Sequence, residues 1–139
     1  MELKMRPELS RRNKYRIDKH RHYELKHFCL QYPRWKREYA NLIEDGLVLS
    51  RIEKRGSGNV PGDPTANLAL KKAYYHERIK MIEKTATDAD QELGIYILRA
   101  VTEGLSYTSL DSAMSIPCSR DTYYDRYRRF FWLLNKERD

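Results

Sequence analysis

Cysteines, strand signals and long apolar runs are scarce in this chain, and each shortage removes a class of protein. Two cysteines, Cys29 and Cys118, cannot staple a disulfide scaffold. No stretch approaches the run of about 18 apolar residues that spans a membrane. The N-terminal residues are basic but lack the apolar core of a signal peptide. No alternating apolar run bounded by turns marks a strand. Neither a nucleophile with a base at recognisable spacing, a carboxylate cluster for magnesium nor a cofactor loop is present, so no enzyme, cofactor or metal is expected. The Gly/Pro-rich stretch has no preceding strand and no Gly-Lys-Ser/Thr ending, which a phosphate cradle needs. His20, His22, His27 and Cys29 point to several sides of one helix without a Cys-x-x-Cys partner, so they are read as structural residues rather than zinc ligands.

What is abundant is charge. The 139 residues carry a formal net charge of +7, which favours an anionic partner. The excess is lopsided. Residues 1 to 37 hold 12 Lys/Arg against 4 Asp/Glu, residues 38 to 100 hold 9 against 10, and residues 101 to 139 hold 6 against 6. A basic helix with interleaved tyrosines suits phosphate contact, because Lys and Arg binding releases condensed counterions. Arg11, Arg12, Lys14, Arg16 and Lys19 are the candidate phosphate contacts.

The most informative pattern lies from Leu93 to Leu134. Leu93, Tyr96, Ile97, Ala100 and Val101 recur at helical spacing, and Gly104 follows as a C′ glycine. Gly94 inside that pattern weakens it by roughly 1 kcal/mol relative to Ala. Leu110, Ala113 and Met114 mark a short helix over Tyr107 to Met114. Pro117 breaks the chain and pushes Ile116 out of the α region. Ser119 is placed to cap a last helix. In that helix Tyr123, Tyr127, Phe130, Phe131 and Leu134 form an apolar stripe, and Arg120, Asp121, Tyr124, Asp125 and Arg128 fall largely on the other face. This order suits a helix-turn-helix reader of double-stranded DNA. Its candidate contacts are Ser119, Arg120, Asp121, Thr122, Tyr124, Asp125 and Arg128.

Earlier in the chain, residues 1 to 12 read as a polar arm. Ser10 would cap a helix from about Arg12 to Gln31, with Leu25, Phe28 and Cys29 inward. A second helix fits Arg34 to about Gly46, with Trp35, Tyr39, Leu42 and Ile43 as its stripe and Gly46 closing it. Leu47 to Ile52 is too short to classify. Three Gly and two Pro make residues 55 to 65 a loop. Asp63 as N-cap and Pro64 as first helical residue start a helix to about Thr85, with Leu68, Tyr75, Ile79 and Ile82 for a core. Thr87 with Asp90 and Gln91 resembles a capping arrangement for the next helix. The expected fold is all-α, with about five or six helices and a C-terminal helix-turn-helix. Its segments are a basic helical region 1–53, a loop 54–65 and a helical region 66–139.

With these pieces in place, the chain resembles phage-encoded late-gene transcriptional regulators of the RinA/ArpU type. The resemblance rests on Tyr32-Pro33, the Gly/Pro loop leading to Asp63-Pro64-Thr65, and the Ile79 to Lys84 segment. It is strongest in Pro117-Cys118-Ser119-Arg120-Asp121-Thr122-Tyr123 followed by Tyr127-Arg128-Arg129-Phe130-Phe131, and it spans about Tyr32 to Leu134. It implies a reader similar to the promoter-reading region of sigma factors, acting on packaging and structural-gene promoters. Host RNA polymerase would be a further partner, and a homodimer is compatible with this role. The implied setting is the cytoplasm and nucleoid of a bacterial host, with no membrane partner. Two competing readings are a small terminase-like packaging subunit and a small phage inhibitor that binds a host or defence complex through its basic face.

Overall fold

The computed structural model describes residues 13–54 and 62–138. The Ser10 cap, Arg11, Arg12 and the rest of the N-terminal arm lie outside the described residues, as does the loop segment 55–61. The described residues form six α-helices and no strand: α1 (Lys19–Leu30), α2 (Tyr32–Lys54), α3 (Gly62–Ala89), α4 (Gly94–Glu103), α5 (Tyr107–Met114) and α6 (Arg120–Arg138). The fold is all-α. No described helix is long and apolar enough to cross a membrane.

α1 starts later than the basic pattern predicts. Asn13 Oδ1 accepts from the Tyr15 amide at 2.8 Å, a local bond that competes with helix. Asp18 then caps α1, its carboxylate accepting from the amides of His20 and Arg21. Tyr15 and Ile17, in the non-helical segment before it, are buried. Leu25, Phe28 and Cys29 face the core as the spacing predicts.

α2 does not close at Gly46. It continues to Lys54 and takes in Leu47 to Ile52. A Cβ at Gly46 would stand 3.4 Å from the Leu68 side chain, an ordinary van der Waals contact, so the glycine lies inside a continuous helix rather than stopping it. Pro33 is tolerated because it lies in the first turn, where an amide has no helical acceptor. Beyond its first turn, Trp35, Tyr39, Leu42, Gly46 and Leu49 of α2 are buried or half-buried at a 4-3-4-3 spacing, with Glu38 half-buried beside them. Within the same unit α3 carries the matching pattern in Leu68, Lys72, Tyr75 and Ile79. That spacing is the seam of antiparallel helix packing. Ile43, predicted in the α2 stripe, is instead 41% exposed.

α3 begins at Gly62, two residues before Pro64, and runs past Thr85 to Ala89. Thr87 is therefore interior to α3, and its hydroxyl donates to the Glu83 carbonyl rather than capping α4. Asp90 holds the turn before α4, its carboxylate accepting from the Leu93 amide at 2.8 Å, and α4 itself starts without a side-chain cap. Gly94 opens α4 directly against α3, where a Cβ would meet the Ala86 carbonyl oxygen at 3.0 Å. Its presence in an apolar helix is thus a packing requirement. Gly104 ends α4 in the left-handed region at φ 70°, as its sequence position predicts.

Two compact units result. The described residues up to Gln31 join those from Met81 onward. Residues Tyr32–Lys80 make the other unit. In the first, α1 packs against both α4 and α6, and α4 packs on α5. Its core gathers Leu25, Ile82, Ile97, Leu110, Tyr123, Phe130, Phe131 and Leu134, each 2% exposed or less.

Candidate nucleic-acid interface

The segment 107–138 is built from local hydrogen bonds that fix where α6 begins. Ser106 caps α5, its hydroxyl accepting from the Ser109 amide. α5 buries only Leu110; Ala113 is exposed and Met114 half-buried, so the predicted three-residue stripe narrows to one anchor. At its end Ser115 adopts φ 57°, and Asp111 holds the turn twice. The Asp111 carbonyl accepts from the Ser115 amide, and its carboxylate accepts from the Ile116 amide at 2.8 Å. Ile116 is buried beneath the turn, while the Tyr107 hydroxyl donates to the Cys118 carbonyl. Ser119 then caps α6, accepting from the Thr122 amide at 3.2 Å.

An aromatic row anchors α6. Tyr107 meets Tyr123 at 5.2 Å between ring centroids, Tyr127 meets Phe131 at 5.1 Å, and Phe131 meets His22 of α1 at 4.7 Å. Such offset and edge contacts are favoured by the ring quadrupoles. Burial pushes the Tyr123 and Tyr127 hydroxyls well above the usual phenol range, so both stay neutral. Burial, aided by nearby Lys26, lowers the His22 pKa to about 4. Cys29 is buried with its thiol pushed up by desolvation, which makes it an inert core residue. His20 and His27 are exposed, and the described residues contain no group of three or more His, Cys, Asp or Glu able to hold a metal.

The predicted DNA contacts separate into groups. Ser119, Arg120, Asp121 and Thr122 are exposed at the first turn of α6. Arg120 is held rather than free: its guanidinium lies 4.9 Å from the Tyr107 ring and donates to the Thr108 hydroxyl at 3.2 Å. Tyr124 is half-buried among Tyr107, Tyr123 and Tyr127. Asp125 pairs with Arg126, which also reaches Asp90 at 3.3 Å. Arg128 is half-buried, and its Nε has no hydrogen-bond partner. No protein-family profile, curated protein or solved structure matches this chain. What the helices present must therefore be read from their own chemistry.

Lys14, Arg16 and Lys19 are exposed on the first unit, at the approach to α1. The segment carrying Lys14 is pinned there, because the Tyr15 ring meets Trp132 of α6 edge-on at 5.5 Å. Arg21 adds a second tie, its Nε donating to Asn135 Oδ1 at 2.6 Å. Sequence reasoning missed Trp132, Lys136, Tyr107 and Thr108. Only Trp132 and Lys136 left a signal, since their i, i+4 spacing places a cation one turn from an indole. Tyr107 and Thr108 act across a turn, which no periodicity records.

Proposed function

We propose that this chain is a DNA-binding transcriptional regulator that reads duplex promoter DNA through α5 and α6 as a helix-turn-helix. The RinA/ArpU-like late-gene role suggested by the sequence is kept as part of this proposal, with host RNA polymerase as a further partner. The supporting observation is the exposed first turn of α6, which presents hydrogen-bonding side chains on a helix anchored by buried Tyr123, Phe130, Phe131 and Leu134. A helix entering the major groove contacts base edges with such a turn. Arg120 can grip guanine with two hydrogen bonds, worth roughly 1–3 kcal/mol of discrimination. Its contacts with Tyr107 and Thr108 reduce the freedom lost on binding.

The test is selection of bound duplexes from a random pool at near-physiological salt, for the wild-type chain and for Arg120→Ala. The variant should lose preference at one base position. An unchanged motif refutes the assignment.

A packaging subunit is the second reading, favoured by apolar side chains left on the 32–80 unit. Leu47 is 55% exposed, Val48 50% and Leu70 69%. Light scattering separates the two: a ring-sized oligomer favours packaging.

A further inference from the structure

The cations of α6 are not equivalent. Arg126 is neutralised by Asp90 and Asp125, and Arg120 lies on Tyr107 and Thr108. Among the described residues Arg128 meets no carboxylate, and its buried Nε has no hydrogen-bond partner. Trp132 and Lys136 follow Arg128 at intervals of four, so all three lie along one face of the helix. Lys136 Nζ lies 3.4 Å from the centroid of the Trp132 ring. Tyr15 meets that indole from the N-terminal segment, and Lys14 Nζ lies 5.0 Å from the Tyr15 centroid. Tyr15 and Ile17 are buried, so this segment is held against the first unit rather than lying loosely over it. Among the described residues, no carboxylate pairs with Lys14, Arg128 or Lys136. Asp125, three residues before Arg128, is engaged by Arg126.

Lys14 on Tyr15 and Lys136 on Trp132 are two cations set on packed aromatic rings, and Arg128 stands one helical turn from Trp132, so together they make a positive surface. Rings beneath ammonium groups hold them in place, which lowers the ordering cost of meeting an anion. We propose that Lys14 and Lys136, carried on the Tyr15–Trp132 pair, and Arg128, one turn away on the same helix face, dock the phosphodiester backbone of the duplex. This rests on the DNA-reading proposal and divides α6 into a reading end at Arg120 and an anchoring end at Lys136. Backbone contacts of this kind set position and orientation without recognising sequence. The basic N-terminal segment and the reader helix, far apart in the chain, thereby act on the same stretch of DNA.

The test uses the full chain with Lys14→Ala, Arg128→Gln and Lys136→Ala combined. A control variant removes three exposed cations of the other unit, Arg37→Ala, Arg51→Ala and Lys71→Ala. Binding to a random-sequence duplex is measured across salt concentrations, and binding to inorganic polyphosphate is measured beside it. The slope of log affinity against log salt is about −0.9 per phosphate contact, so the anchor variant should be shallower by about 2.7. The control should keep the wild-type slope. The anchor variant should also lose polyphosphate affinity while retaining the base preference selected from a random pool. If Arg128→Gln fails to fold, the Lys14→Ala, Lys136→Ala double variant should still flatten the slope by about 1.8. Equal slopes in anchor and control variants overturn the proposal, and that outcome leaves the Arg120 reading standing. Conversely, an Arg120→Ala motif that does not change removes the reading, while loss of polyphosphate binding in the anchor variant still supports the phosphate surface. A wild-type chain that binds neither duplex nor polyphosphate overturns both.

Discussion

Acidification should weaken the first unit through His22. The imidazole is buried against Phe131, and burial with the neighbouring Lys26 lowers its pKa to about 4. In the unfolded chain a histidine titrates near 6.5. Because the folded value is depressed, the neutral side chain costs nothing above pH 6.5. Below that the unfolded state takes up a proton that the folded state refuses, and stability falls until the pH passes 4. At pH 5 the ratio of the two binding polynomials is about 30, which corresponds to about 2 kcal/mol. The full loss below pH 4 is about 3 kcal/mol, a large share of the 5–15 kcal/mol that holds a typical domain. The assay is urea unfolding at pH 7.5 and 5.0, for the wild-type chain and for His22→Leu. All other titrating groups are common to both, so the difference between the two pH-dependent losses isolates His22. The wild-type chain should lose about 2 kcal/mol more than the variant between these conditions. Equal losses would refute the claim that His22 is held neutral by burial.

Other consequences follow from the packing. Phe130 is fully buried, so Phe130→Ala should cost about 3–5 kcal/mol, read as a lowered urea midpoint. If that variant kept its stability and lost single-strand binding, the aromatic row would be a stacking platform instead of core. Gly94→Ala should destabilise by about 1–3 kcal/mol, because its Cβ would press on the backbone of Ala86 and Thr87. A gain in stability, as helix propensity alone predicts, would show that α3 and α4 can separate cheaply. Asp18→Ala should cost about 1 kcal/mol through loss of the α1 cap, detected as a lower melting temperature. An unchanged melting temperature would mean that the cap bonds are replaced by water at no cost.

Helical class, the extent of α5 and the start of α6 were legible in the sequence, because each is governed by neighbours within a few residues. Pro117 and Ser119 act locally, and Gly104 marks a left-handed C-cap by its own lack of a Cβ. The apolar stripe of α6 was equally plain, since helical period alone places Tyr123, Phe130, Phe131 and Leu134 on one side. Gly46 and Gly94 misled for the opposite reason. Gly46 read as a stop although α2 runs through it, and Gly94 read as a weakness although it lets α4 approach the Ala86 backbone, because periodicity within one helix carries no information about its neighbours. Thr87 likewise looked like a cap until the tertiary fold extended α3 past it. The basic N-terminal segment read as one helix because its charges mask the Asn13 and Asp18 side chains that interrupt it. Only the tertiary structure could bring Tyr15 to Trp132 and Arg21 to Asn135. Those facts depend on residues more than a hundred positions apart, whose meeting is set by packing and not by local propensity.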